Sequence, residues 1–357
     1  MFRIVQILSF LTPSPWRVTS VGIITNSRLS IIFRLGAILS CFYIPLWRLG
    51  VMDGLSHRIV SSPIRSIFEL YFAVFNPLLV IIYTWVFGRM RESLKNLIVA
   101  LESVTPLRQI LGDQSPCFIW RVFGVTYASI LICSLAFSYF ITNSWQNGWE
   151  DALSSILYLI IHVQVFGTPS FTLITLLYNV IGKVIHNEIL RCTESMDMIK
   201  EDRIRRLADS IEQFNGTFQL SALLQMAFAF VFITMCLYMN VRNMLSFSEE
   251  SLFFPSILYF VGFITFSIFV FESCHTGNQI EKSLERAKEA TENYIRINIE
   301  VMSAEDRTKC EYLIVRLSQK DLITCYGYFP LNHETLLSIG GGILTYLIVF
   351  VNFFLAK

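Results

Sequence analysis

Ser338, Thr345 and Asn352 stand seven residues apart in a run that is otherwise Leu, Ile, Val and Phe, so all three fall on one face of a helix. Two hydroxyls and an amide on an apolar helix suit two kinds of chemistry. They can lock the helix against its neighbours, as small and polar side chains do in membrane bundles. Alternatively, copies of the helix from several subunits can line a water-filled path, with Asn352 near the outer mouth. Spacing alone leaves both open. Gly341 and Gly342 lie on or near the same face, and Gly340-Gly341-Gly342 is a candidate hinge or a point of close packing. Elsewhere, ionisable residues inside apolar runs are few. Glu69 stands near the start of one, where a charge costs less than the roughly 2.5–3.5 kcal/mol of a bilayer centre. His162 lies deeper, as a neutral hydrogen-bonding core residue or a ligand contact. Intramembrane catalysis needs paired aspartates, a Ser/His pair or zinc ligands, and these two residues make no such set. With no CxxC or HExxH, metal chemistry has no home. The chain reads as a non-enzyme without a cofactor.

Those residues need a scaffold, and the composition says which. Of 357 residues, 54% are hydrophobic and only 15% charged, against roughly 25% charged in soluble domains. Mean hydropathy is +0.56. Lipid must therefore be the solvent for most of the chain. The net charge of +1 argues against nucleic acid as a partner. None of the eight cysteines falls in a short outer loop, so a disulfide framework is not expected. Met1–Leu11 ends at Thr12-Pro13-Ser14-Pro15 without a small-x-small cleavage site, and reads as an interfacial segment rather than a signal peptide.

About 20 apolar residues are needed for a helix to cross about 30 Å of hydrocarbon. Such runs fall near Ser30–Leu49, Ile67–Phe87, Val122–Thr142, Leu153–Val180, Phe218–Met239, Leu252–Cys274 and Leu336–Ala356. Asn76-Pro77 and Gly167-Thr168-Pro169 predict kinks in the second and fourth. Orientation follows from the basic residues. Arg3, Arg17 and Arg28 precede the first span, and Arg89, Arg91, Lys95 and Arg108 follow the second. The two long later connections add many more, whereas the opposite side offers only Arg58, Arg65, Arg242 and Lys357. The expected architecture is an all-α integral membrane protein of seven transmembrane helices, N-terminus cytoplasmic and C-terminus extracellular. This sidedness is opposite to that of a G-protein-coupled receptor, whose Asp/Glu-Arg-Tyr and Asn-Pro-x-x-Tyr motifs are also missing. A transporter would show repeated halves with broken helices, and no repeat is visible.

The inner connections have helical periodicity. Ile204, Leu207, Ile211 and Phe214 recur at three and four, as do Ile280, Leu284, Ala287 and Tyr294. Both predict amphipathic helices that extend the spans below the membrane. Cys310, Leu313, Ile314, Leu317 and Ile323 suggest a further helix before the last span. The organisation is then 1–182 for helices one to four, 183–217 for a cytoplasmic connection, 218–274 for helices five and six, 275–334 for cytoplasmic anchor helices and 335–357 for the seventh helix. In the outer halves of the first six spans, Glu69, Tyr71, Tyr139, His162, Gln164, Tyr238 and Tyr259 are the candidate small-molecule contacts. Tyrosines near span ends also suit an interfacial aromatic belt.

Two stretches then resemble a known family. Thr345-Tyr346-Leu347-Ile348-Val349-Phe350-Val351-Asn352-Phe353 resembles the Thr-Tyr, five apolar residues, Gln-Phe signature that closes insect gustatory receptors. Gly327-Tyr328-Phe329-Pro330-Leu331-Asn332 resembles the Gly-x-Phe-x-Leu-Asn/Asp stretch that precedes the same span. Asn352 departs from the usual Gln, keeping the amide but shortening it by one methylene. The resemblance implies a ligand-gated cation channel, related also to insect odorant receptors. It implies four subunits, alike or mixed, around a pore lined by the last helix and anchored by the cytoplasmic helices. The implied pore and gate residues are Ser338, Thr345, Tyr346, Val349, Asn352 and Phe353. The implied partners are a small-molecule tastant, membrane lipid and further receptor subunits, at the plasma membrane of sensory neurons. Odorant, light and warmth sensing remain alternatives, as does second-messenger signalling.

Overall fold

The computed structural model describes residues 16–19, 22–25, 82–83, 85–101, 168–194, 198–245, 253–318 and 323–355. Within them lie a short hairpin, β1 (Trp16–Thr19) and β2 (Gly22–Thr25), and six helices. The helices are α1 (85–101), α2 (Thr168–Thr193), α3 (Met198–Leu245), α4 (Phe253–Asn298), α5 (Ala304–Leu317) and α6 (His333–Leu355). The hairpin pairs Trp16 with Thr25 and Thr19 with Gly22. It is an addition to the all-helical reading: Val18, Thr19, Ile23, Ile24 and Thr25 are β-branched and suit a pleated ribbon.

Four of the helices, α2, α3, α4 and α6, are long and apolar enough to cross a membrane. They overlap the fourth to seventh expected spans, the fourth only over residues 168–180. The first and third spans, and most of the second, fall outside the described residues. So do Asn76-Pro77 and the part of the fourth span before Thr168. Pro169 sits in the first turn of α2, where its missing N–H is not needed.

The 48 residues of α3 and 46 of α4 make rods of about 70 Å at about 1.5 Å per residue, more than twice a bilayer's hydrocarbon. The amphipathic segments read from the sequence are thus continuous with the spans. In the stretch 183–217 the first part completes α2, the last part opens α3, and a turn at Glu194 lies between them.

The core lies where α2, α3 and α4 meet. Phe171, Phe228, Phe232, Phe266 and Phe269 pack ring on ring, with centroids 4.4 Å apart for Phe232–Phe266 and 5.0 Å for Phe171–Phe266. Lower down, Tyr178, Phe214 and Phe218 form a second cluster at 4.9–5.6 Å. Such pairs add about 0.5–1.5 kcal/mol each beyond simple burial. Polar cross-links fix the register. Gln225 donates to the Phe171 carbonyl at 3.0 Å and Thr276 donates to Asn179 at 2.8 Å. The buried Glu188 carboxylate takes both Arg191 of its own helix and Arg203 of α3, each at 2.9 Å.

The predicted helix before the last span is α5. Ser303 caps it by accepting the Asp306 N–H at 3.1 Å, and Cys310, Leu313 and Leu317 are its buried face. Arg316 ties it to Asp209 and Glu212 of α3. Ile323 is buried as expected but belongs to the loop beyond.

Candidate pore-lining helix

The chain reaches α6 through a hydrogen-bonded loop, residues 323–332. Cys325 and Phe329 pair across it, Leu331 N–H donates to the Ile323 carbonyl at 3.1 Å, and Thr324 N–H donates to Asn215 of α3 at 3.0 Å. Its turn needs left-handed backbone at Tyr326 (φ 55°) and Gly327 (φ 76°), which explains a glycine at the second position. Asn332 then caps α6, accepting the N–H groups of Glu334 and Thr335 at 3.1 and 3.2 Å. The loop's Leu331 carbonyl lies against Gly277 of α4, where no Cβ would fit.

Helix α6 packs along one face only. Of its apolar window 6% is buried, against 78% for α2 and 61% for α3. The packed face is Ile343, Gly342 against the Phe230 ring, Tyr346 edge-on to Phe230 at 5.8 Å, and Phe350 edge-on to Tyr238 at 5.5 Å. Ser338, Gly341, Thr345, Val349 and Asn352 are all exposed on the other side. Within one subunit, then, the polar stripe is not what packs α6 on its neighbours. Ser338 and Thr345 donate to the Glu334 and Gly341 carbonyls one turn back, at 3.0 and 2.9 Å, so both hydroxyls are satisfied. The Asn352 amide has no such partner among the described residues. The side chain of Phe353 lies outside them.

Tyr346 belongs to both sides, half exposed yet touching Phe230. Of the ligand candidates, Tyr238 is buried against Phe350 rather than facing open space. Tyr259 is in α4 by backbone, its side chain outside the described residues. Glu69, Tyr71, Tyr139, His162 and Gln164 also lie outside them.

One cluster was not visible in sequence. His275 of α4 lies 3.3 Å from His333, the first residue of α6, with rings stacked; Gln279 touches the far nitrogen of His275 at 2.9 Å. The residues are 58 apart in the chain, and only their position at span ends hinted at them. Two nitrogens alone make no metal site, and no third ligand joins them among the described residues.

The whole chain, residues 1–357, fits the sequence pattern of the family described as 7tm chemosensory receptor. The chain belongs to that family. Among solved structures, the receptor is similar to the insect olfactory receptor OR5 from Machilis hrabei in complex with eugenol. The TM-score is 0.66 and the identity 12%, covering 98% of this chain and 97% of that one. The structure of OR5 described without eugenol matches with TM-score 0.59, also at 12% identity, over 97% and 96% of the two chains. At that identity the likeness speaks for the fold. No curated protein matches by sequence. Family and fold together mark a multi-pass membrane protein of the chemosensory-receptor family.

Proposed function

We propose that the receptor is a subunit of a tetrameric, tastant-gated cation channel of the gustatory type, with α6 lining the pore. The observation that carries this reading is the exposed stripe of Ser338, Thr345 and Asn352 on a helix that buries only its opposite face. An amide aimed away from its own subunit is unfavourable in hydrocarbon and well placed in a water-filled path shared by several copies. The Thr345–Phe353 signature supports the same assignment. In it Asn352 and Phe353 form the constriction, and the Phe353 ring blocks the path by dewetting until a ligand-driven shift of α6 turns it away.

The ligand is a small molecule held among the outer halves of the first six spans, with Tyr259 among its candidate contacts. That OR5 holds eugenol supports small-molecule binding in this fold. It also makes an odorant the competing ligand class. Whole-cell recording from cells expressing the receptor, across sugars, bitter compounds and odorants, tests the reading. A ligand-evoked cation current changed by Asn352→Ala or Phe353→Ala is expected; a current indifferent to both would overturn the pore assignment. Tags at the two termini should report opposite sides of the membrane.

A further inference from the structure

Three elements line an open groove of about 100 Å³ at the span ends taken above as inner: α1, the Gly216–Ser221 stretch of α3, and Tyr326 of the loop that leads into α6, with Arg89, Ser93 and Tyr326 exposed at its rim. It is far smaller than the roughly 300–1,000 Å³ of a drug-sized site. Its lining has one charge, Arg89, and no carboxylate; Glu92, beside Ser93 in sequence, does not face it. Arg89 stands over the half-exposed Trp85 ring at 5.6 Å and has no acidic partner among the described residues. The hydroxyls of Thr217 and Ser221 are committed to the Gln213 and Phe218 carbonyls at 2.7 and 2.8 Å. Arg89, Ser93, Gln219 and Tyr326 are not: none has a hydrogen-bond partner among the described residues. Four donors, one cationic, thus surround an open space, and a Cβ added at Gly216 would meet nothing within 4 Å. A guanidinium with no carboxylate beside it, and three neutral groups able to donate, describe an anion site.

Depth selects the anion. Arg89 follows the second expected span by two residues, and Thr217 precedes the fifth by one. Both therefore stand at inner span ends, the level of the headgroup phosphates. Val86, Met90 and Leu220 give the groove an apolar wall, which a soluble anion does not need and a lipid's glycerol end does. Trp85 beside Arg89 suits the same interface. We propose that this groove binds the phosphate of an anionic phospholipid of the inner leaflet, with Arg89 as its charged ligand and Ser93, Gln219 and Tyr326 as hydrogen-bond donors. The lipid bridges α1 to the loop that caps α6, and so stabilises the seated position of the last helix.

The proposal takes from the topology only that these span ends are inside, and its test reads binding rather than current. The purified full-length receptor is placed in phosphatidylcholine nanodiscs, with or without about one part in ten of phosphatidic acid, and melted. Phosphatidic acid should raise the melting temperature. Arg89→Gln should weaken that response roughly tenfold in lipid concentration, the expected loss of one charge-assisted contact. Tyr326→Phe should weaken it less, whereas Arg91→Gln, on the same helix but off the groove, should leave it unchanged. Equal losses for Arg89→Gln and Arg91→Gln would reduce the effect to surface charge and overturn the site, as would no response in the unaltered receptor. Inorganic phosphate reproducing the shift in pure phosphatidylcholine would overturn the lipid as the source of the anion.

Discussion

Replacing Gly277 by Ala should detach the base of α6. Gly277 lies in the middle of α4, so in isolation the change favours the helix by about 1 kcal/mol. The added methyl, however, would overlap the Leu331 carbonyl oxygen, with the carbonyl carbon at 3.0 Å and Leu331 Cβ at 3.1 Å. A backbone oxygen cannot rotate away as a side chain can. The loop cannot yield residue by residue either, because Cys325–Phe329, Ile323–Leu331 and Thr335–Pro330 hydrogen bonds knit it together. It must move as a unit. That unseats the Leu331 side chain, now 2% exposed, whose burial contributes about 1.5–3 kcal/mol. Less the gain in helix propensity, the net loss is about 0.5–2 kcal/mol, or roughly 1–3 °C of melting temperature in a chain of this size.

The assay is a thermal melt of detergent-solubilised receptor, followed by loss of the monodisperse peak, alongside ligand-evoked current. Gly182→Ala is the companion, since its methyl would overlap Thr276 Cγ2, a β-branched side chain already held by Asn179. Gly340→Ala, where nothing lies within 4 Å, is the control and should melt at or above the unaltered protein. Should Gly277→Ala melt as high as Gly340→Ala with unchanged current, the docking of the loop on α4 would be wrong.

Gly341→Ala, open in the single subunit, should melt at or above the unaltered subunit, as Gly340→Ala does, yet alter assembly or current, read by native mass spectrometry and recording. Removing both arginines from Glu188 (Arg191→Ala with Arg203→Ala) should cost about 3–5 kcal/mol, because it leaves a buried carboxylate uncompensated. Glu188→Gln added to that pair should restore most of the melting temperature. The Cys325 thiol is pushed up to about 12 by burial and then by the neighbouring Cys274. The raised value means that the folded thiol stays protonated, so stability is complete below the unfolded value near 8.5 and is lost as pH climbs towards 12. Iodoacetamide at neutral pH should therefore label Cys325 far more slowly in folded than in denatured receptor, by mass spectrometry; equal rates would refute the buried placement.

Much of the scaffold was legible because lipid imposes long, nearly unbroken apolar runs. The fifth to seventh spans begin or end within a few residues of the apolar runs, and the three-and-four spacing of Ile204, Leu207, Ile211 and Phe214 turns up as a buried face. Ser338, Thr345 and Asn352 do share a face, and the structure adds which way it points. What was not legible depends on partners distant in sequence. Gly340-Gly341-Gly342 stands out by repetition, yet the closest approaches occur at the isolated Gly182 and Gly277. Nothing local marks them, since the crowding comes from Thr276 and from Leu331. Tyr238 suited a ligand wall by type and depth; that its ring meets Phe350 depended on how α6 lies across α3. The β1–β2 hairpin was hidden by its length, too short for alternation to show.

A helix packed on one side is held by few contacts, and those of α6 fall into two groups. Along its length the contacts are rings, Phe230 with Tyr346 and Tyr238 with Phe350, both from α3. At its base they are polar and specific: the Asn332 cap, His333 on His275 of α4, Leu331 on Gly277 of α4, and Thr324 on Asn215 of α3. Ring contacts can shift at modest cost, since each edge-on pair contributes only about 0.5–1.5 kcal/mol. The hydrogen bonds at the base cannot. With the base held on both α3 and α4, relative motion of those helices farther along the bundle tilts α6 about its N-terminal end rather than translating it, and the largest displacement falls at Asn352. Cross-linking that N-terminal end to α4, through cysteines placed at His275 and His333, should leave a ligand-evoked current intact if the base is a pivot. Loss of current on oxidation, restored by reductant, would show instead that α6 must slide.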